Sequence, residues 1–142
     1  MGLFLLAGQT LSGQDQPLLR VTVVPQILDS SVQVVWEQTL TQDTTAGRPV
    51  VVNLQIGNLQ IRLTITPFDA PDDQFLLVVQ SLVRQADASG AKLRTAVQSL
   101  LIPAGEAVMY FPFGRERSTN SAPNSTPWHQ MQVEIRLQPV AQ

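Results

Sequence analysis

Cysteine is missing from this chain. Disulfide staples, thiolate metal sites and a cysteine nucleophile are thereby excluded, while the redox compartment stays open. Lysine is nearly missing too: Lys92 is the sole one, and the other basic residues are arginines. Charged residues amount to 14% of the sequence, against roughly 25% in an average soluble domain. The net charge of −2 offers no clustered positive field to displace counterions, so no nucleic acid is expected as a partner. Aromatic residues are scarce at 6%, and His129 is the lone histidine. No apolar run approaches the ~20 residues of a bilayer-spanning helix, so no membrane-spanning segment is expected.

What is present is a chain of one domain's length, 142 residues with 44% hydrophobic, long enough to bury a core. Its polar positions are filled largely by Gln, Thr, Ser and Asn rather than by charge. The beginning, "MGLFLLAGQTLSGQDQP", carries an apolar run from Leu3 to Ala7 and small residues at Thr10 and Ser12. It resembles the end of a secretory signal peptide cleaved after Ser12, although it has a short apolar region and no basic residues before it. Residues 1–16 are thus expected to be a remnant signal peptide or an N-terminal arm, and residues 17–142 a single domain. The expected setting is exported, in the bacterial periplasm or cell envelope.

From Leu18 onward the hydropathy alternates with period two, the signature of strands with one dry and one wet face. "LLRVTVVPQIL" places Leu19, Val21 and Val23 on one face, and Pro25 predicts a sheet edge or a kink. "SVQVVWEQTL" sets Val32, Val34, Trp36 and Leu40 inward, with Asp29-Ser30-Ser31 as the preceding turn. Thr41–Pro49 reads as a loop. "VVNLQIGNLQIRLTI" is nearly symmetric about Gly57-Asn58. A type II′ turn there puts Ile56 opposite Leu59, Leu54 opposite Ile61, Val52 opposite Leu63 and Val50 opposite Ile65, all on one face.

Thr66–Gln74 reads as a Pro- and Asp-rich connection. "FLLVV" from Phe75 is apolar on both faces, as in a strand covered on both sides. In "AKLRTAVQSLLI" the alternation sets Leu93, Val97 and Leu101 inward and Lys92, Arg94 and Gln98 outward. "PAGE" fits a type I turn, and "AVMYFPF" is a further strand whose inward face the pattern leaves open. Gly114–Pro127 is a polar loop without periodicity. The last strand sets Met131, Val133, Ile135 and Leu137 inward. The fold class that follows is all-β: a two-sheet antiparallel β-sandwich, Ig-like or jelly-roll-like, of about eight strands. A small closed β-barrel is the alternative. Burial of about 25 apolar side chains at roughly 1.5–3 kcal/mol each is on the scale of the opposing chain entropy, so no cofactor is needed for folding.

Catalytic signatures are sparse. His129 has no ligand-spaced neighbours, and the Asp69, Asp72, Asp73 group lacks the frame of an EF-hand. G-x-S-x-G does not occur. Glu37 and Glu134, a carboxylate pair in principle, stand on wet strand faces. The chain is therefore expected to be no enzyme and to hold neither metal nor cofactor. "NST" at Asn124 is a short match to a glycosylation acceptor.

Two binding surfaces are suggested. Val35, Val51, Leu76, Val78 and Leu100 fall on faces that should be polar, where a partner protein or a second copy of the chain would pack by sheet face or strand edge. The alternative is a carbohydrate-binding module whose stacking platform uses Tyr110, Phe111, Phe113 and Trp128. The function expected is a structural or protein-interaction module, with the loops at Thr41–Pro49 and Gly114–Pro127 adding selectivity.

Overall fold

The computed structural model describes residues 16–113 and 131–140. Nine strands are seen among them: β1 (Leu19–Leu28), β2 (Val34–Glu37), β3 (Leu40–Thr44), β4 (Val50–Ile56), β5 (Leu59–Ala70), β6 (Gln74–Asp87), β7 (Gly90–Pro103), β8 (Ala107–Tyr110) and β9 (Met131–Pro139). They form two antiparallel sheets. One has the order β2-β1-β9-β8, with β3 also paired to β1; the other is the meander β4-β5-β6-β7. The sheets do not join into a closed barrel. Where β3 and β4 come near, Leu40–Gln42 and Val50–Asn53 line a cleft of about 140 Å³. The architecture is a β-sandwich.

The Gly57-Asn58 hairpin adopts the register its symmetry dictates: Val50↔Ile65, Val52↔Leu63, Leu54↔Ile61 and Ile56↔Leu59. All eight residues are buried. Gly57 sits at φ 60°, as the first position of a type II′ turn requires. Asn58 ties this turn to the next hairpin by donating from Nδ2 to Ala86 O at 2.7 Å. Opposing it across the core are Leu19, Val21, Val23 and Ile27 of β1 and Met131, Val133, Ile135 and Leu137 of β9. A buried hydrogen bond crosses between the layers: Tyr110 Oη of β8 lies 2.7 Å from Ser81 Oγ of β6, and both residues are buried.

Several local expectations are corrected. Pro25 does not mark an edge, because β1 lies inside its sheet. On one side β1 pairs with β9 throughout; on the other its partner changes from β3 (Leu19–Val23) to β2 (Gln26–Leu28). Pro25 O accepts from Gln38 N at this changeover, so the missing N–H of the proline faces a gap in the neighbouring ladder. The stretch read as one strand over Val32–Leu40 is broken into β2 and β3. Val32 and Val34 are exposed, while Trp36 and Leu40 pack against the core. Part of the expected loop at Thr41–Pro49 belongs to β3, and β5 runs on to Ala70 through most of the expected Thr66–Gln74 connection. The turn between β5 and β6 is just Pro71-Asp72-Asp73, with both aspartates at positive φ, a conformation Asp tolerates better than most residues.

The largest correction concerns β7. Its register with β6 places Ile102 opposite Phe75 and Leu100 opposite Leu77 on the core side. Leu93, Val97 and Leu101 consequently point outward, at 67%, 66% and 57% exposure. The two-residue loop Ala88-Ser89 fixes this, since Asp87 pairs with Gly90 and every later residue follows. Likewise β6 is not covered on both sides among the described residues: Leu76 is exposed and Val78 half-buried.

Candidate interaction surface

The outer face of the β4–β7 meander is built from residues two apart on each strand. Its most apolar row is continuous across three strands, with Phe68 opposite Leu76 and Leu76 opposite Leu101. All three side chains are exposed. The next rows mix polar and apolar groups: Thr66, Val78 and Ser99; then Val51, Thr64, Gln80 and Val97; then Arg62, Leu82 and Thr95. The last is Gln60, Arg84 and Leu93. Asn53, Gln55, Gln60, Arg62, Leu82 and Arg84 bound an open depression of about 520 Å³ at that end. No carboxylate stands on the outward positions of these four strands. The face is thus apolar at one end and cationic at the other.

Of the five residues read from the sequence as an interaction surface, the structure brings three together: Val51, Leu76 and Val78 share this face. Val35 is exposed but lies on β2 in the other sheet, beside a register shift in β1. Leu100 is turned inward and packs partly buried against the core. Sequence reasoning missed Phe68, Leu82, Leu93, Val97 and Leu101. The signal for the β7 members was the short Ala88-Ser89 turn, which sets the parity of the strand.

Among the described residues no exposed aromatic platform is seen. Tyr110 is 1% exposed with its hydroxyl on Ser81, so its ring is a core group with no stacking face for a sugar. Phe113 is half-buried against the core, and Phe111 is also half-buried. Trp128 lies outside the described residues, as do His129, Asn124, the Gly114–Pro127 loop and the residues around Thr10 and Ser12.

Other polar groups are engaged locally. Glu37 Oε1 accepts from Gln26 Nε2 at 2.8 Å, and Gln26 Oε1 accepts from Gln132 Nε2 at 2.7 Å. Glu134 pairs instead with Arg136 at 3.5 Å. Glu37 therefore serves a cross-strand contact from β2 to β1, and Glu134 an ion pair within β9. Arg20 meets Asp43 across β1 and β3 at 3.0 Å in an exposed pair. Asp87 holds the β6–β7 turn: its Oδ1 accepts from Ser89 Oγ at 2.7 Å and from Ser89 N at 2.9 Å. The Ser89 hydroxyl, chiefly, and then its backbone N–H keep the Asp87 carboxyl below its ordinary value. Among the described residues no group of three or more His, Asp or Glu is placed to hold a metal ion, and no helix is long and apolar enough to cross a membrane.

No protein-family model and no curated protein matches the sequence. Among solved structures, the chain is similar to the InvG secretin domain β-barrel from the Salmonella SPI-1 injectisome NC-base, at 7% sequence identity and a TM-score of 0.42. The match covers 99% of this chain and 68% of that one.

Proposed function

We propose that the chain is a non-enzymatic structural or protein-interaction module of the bacterial cell envelope, docking a protein partner through the outer side of the β4–β7 meander. The observation that carries this is the unbroken exposed row Phe68-Leu76-Leu101, with Val97 and Leu93 further along β7. Isolated surface leucines are ordinary, but a contiguous apolar strip on a sheet face marks a site of association. Arg62 and Arg84 at the other end favour a partner with acidic groups there, because charge at the rim sets orientation and encounter rate. The envelope setting draws only on the signal-like Leu3–Ala7 run and the small residues after it.

The test is site-specific photo-crosslinking in the native host, with the probe at Val78 and a control probe at Thr22 on the other sheet. Discrete protein adducts from position 78 and none from position 22 are expected. Equal labelling from both, or none from position 78, refutes the docking face. Cell fractionation tests the envelope setting, and recovery wholly in the cytosol refutes it.

A further inference from the structure

Resting on that reading, we propose that the partner at the β7 edge is a second copy of this chain, joined by antiparallel β7–β7 pairing on a two-fold axis at Val97. Among the described residues β7 is the last strand of its sheet, and no strand pairs with its far side. It is 14 residues long. From Gly90 to Thr95 every residue is exposed. Natural edges are usually short or guarded by lysine, proline or a bulge. Here the ladder with β6 is unbroken from Asp87↔Gly90 to Gln74↔Pro103, and proline enters only at the final position.

The backbone of β7 already defines which groups are on offer. Ala104 N donates to Asp73 O, and the same parity runs along the hairpin, so even-numbered residues of β7 turn their N–H and C=O toward β6. The odd-numbered residues from Leu93 to Leu101 turn theirs to the open side. Those same residues carry their side chains on the outer face.

The spacing of the apolar ones selects the register. Leu93, Val97 and Leu101 are four residues apart and symmetric about Val97. Antiparallel pairing centred there sets Val97 against Val97 of the second copy, Leu93 against its Leu101 and Leu101 against its Leu93, with Thr95 facing Ser99. Centring on Thr95 or Ser99 instead leaves only two apolar pairs. Centring on Leu93 opposes Lys92 to Arg94, and such like-charge pairs are unfavourable. In the Val97 register Lys92 faces Ile102 and Arg94 faces Leu100, so no cation meets a cation. Opposite Ala91 stands Pro103, which has no N–H to donate and ends the ladder. The contact, about nine residues a side, is smaller than the roughly 20–30 a side of a standard interface. The dimer is therefore concentration-dependent, and the two meanders become one continuous eight-stranded sheet.

Absence of cysteine makes the test direct. A strand pair of this kind holds the Cα atoms of directly opposed residues about 5.5 Å apart, within disulfide reach. Full-length Val97→Cys should form a disulfide-linked dimer under mild oxidation, whereas Leu93→Cys and Leu101→Cys should each stay monomeric alone and link when mixed. Sedimentation from micromolar to near-millimolar concentration should show monomer–dimer exchange. Val97→Lys should weaken it by about tenfold or more, and mixing the Val97→Lys and Val97→Glu chains should restore a heterodimer. A strict monomer, or self-linking of Leu93→Cys equal to that of Val97→Cys, overturns the proposal. Adducts to other proteins from position 78 would persist in that event, so this inference can fail while the docking face stands.

Discussion

Tyr110→Phe, combined with Ser81→Ala, isolates a hydrogen bond that links the two layers through the core. Tyr110 is 1% and Ser81 4% exposed, and their oxygens are 2.7 Å apart. Removing the phenol oxygen leaves the serine hydroxyl buried without that partner, and removing the serine oxygen does the same to the phenol. Each loss costs the desolvation of the orphaned group, about 1–3 kcal/mol. Removing both oxygens together leaves an apolar contact and no orphan, so the double variant should cost less than the two singles combined. The coupling expected from a double-mutant cycle is about 1–2 kcal/mol. In a domain of 142 residues each kcal/mol corresponds to roughly 3–5 °C in Tm. Urea unfolding of the four chains, followed by tryptophan fluorescence, measures it, with unchanged m-values as the check on two-state behaviour. Additive single effects, or a Tyr110→Phe chain as stable as the parent, would refute the assignment of Tyr110 to the core and reopen its ring to ligand binding.

Three further outcomes are expected. Leu63→Ala, at a fully buried position, should destabilise by about 2–5 kcal/mol, whereas Leu93→Ala should fall within about 0.5 kcal/mol of the parent; the reverse order in chemical denaturation would invert the β7 assignment. Val32 is β-branched yet held at φ 63° and exposed, so Val32→Asn should stabilise by about 0.5–1 kcal/mol, and a loss of stability in the same assay would refute strain there. The Asp87 carboxyl, lowered by its hydrogen bonds to Ser89, should titrate below the ordinary carboxylate range in carbon-detected NMR. A folded-state pKa below the unfolded one means that its contribution is complete above the unfolded value and is lost as pH falls through the folded value. A midpoint at or above the usual value for aspartate contradicts that.

The hairpin at Gly57-Asn58 was legible residue by residue because a single register satisfies every apolar position on one face. The β9 face was legible for the same reason. β7 was not, since both of its faces are partly apolar: Ala96, Leu100 and Ile102 alternate with Leu93, Val97 and Leu101. Hydropathy cannot choose between such faces, and the choice is made by the two-residue turn to β6. Trp36 and Leu40 were rightly read as core-facing, but a change of partner along β1 divides their strand, and that is a tertiary event without a local signal. Tyr110 offered no parity because β8 is only four residues long; its burial follows from Ser81 opposite it, on a strand far away in sequence.

The pairing of β1 with β9 brings Leu19 against Pro139, some 120 positions later, whereas β4 to β7 are each joined to the next by a short turn. During synthesis on the ribosome the meander can form as it emerges, while β1 must wait for β9. Until then Leu19, Val21, Val23 and Ile27 form a sticky ribbon without its long-term neighbour. Such distant closure slows folding and lengthens the interval in which aggregation competes, so this module would profit from a holding chaperone until β9 has been made.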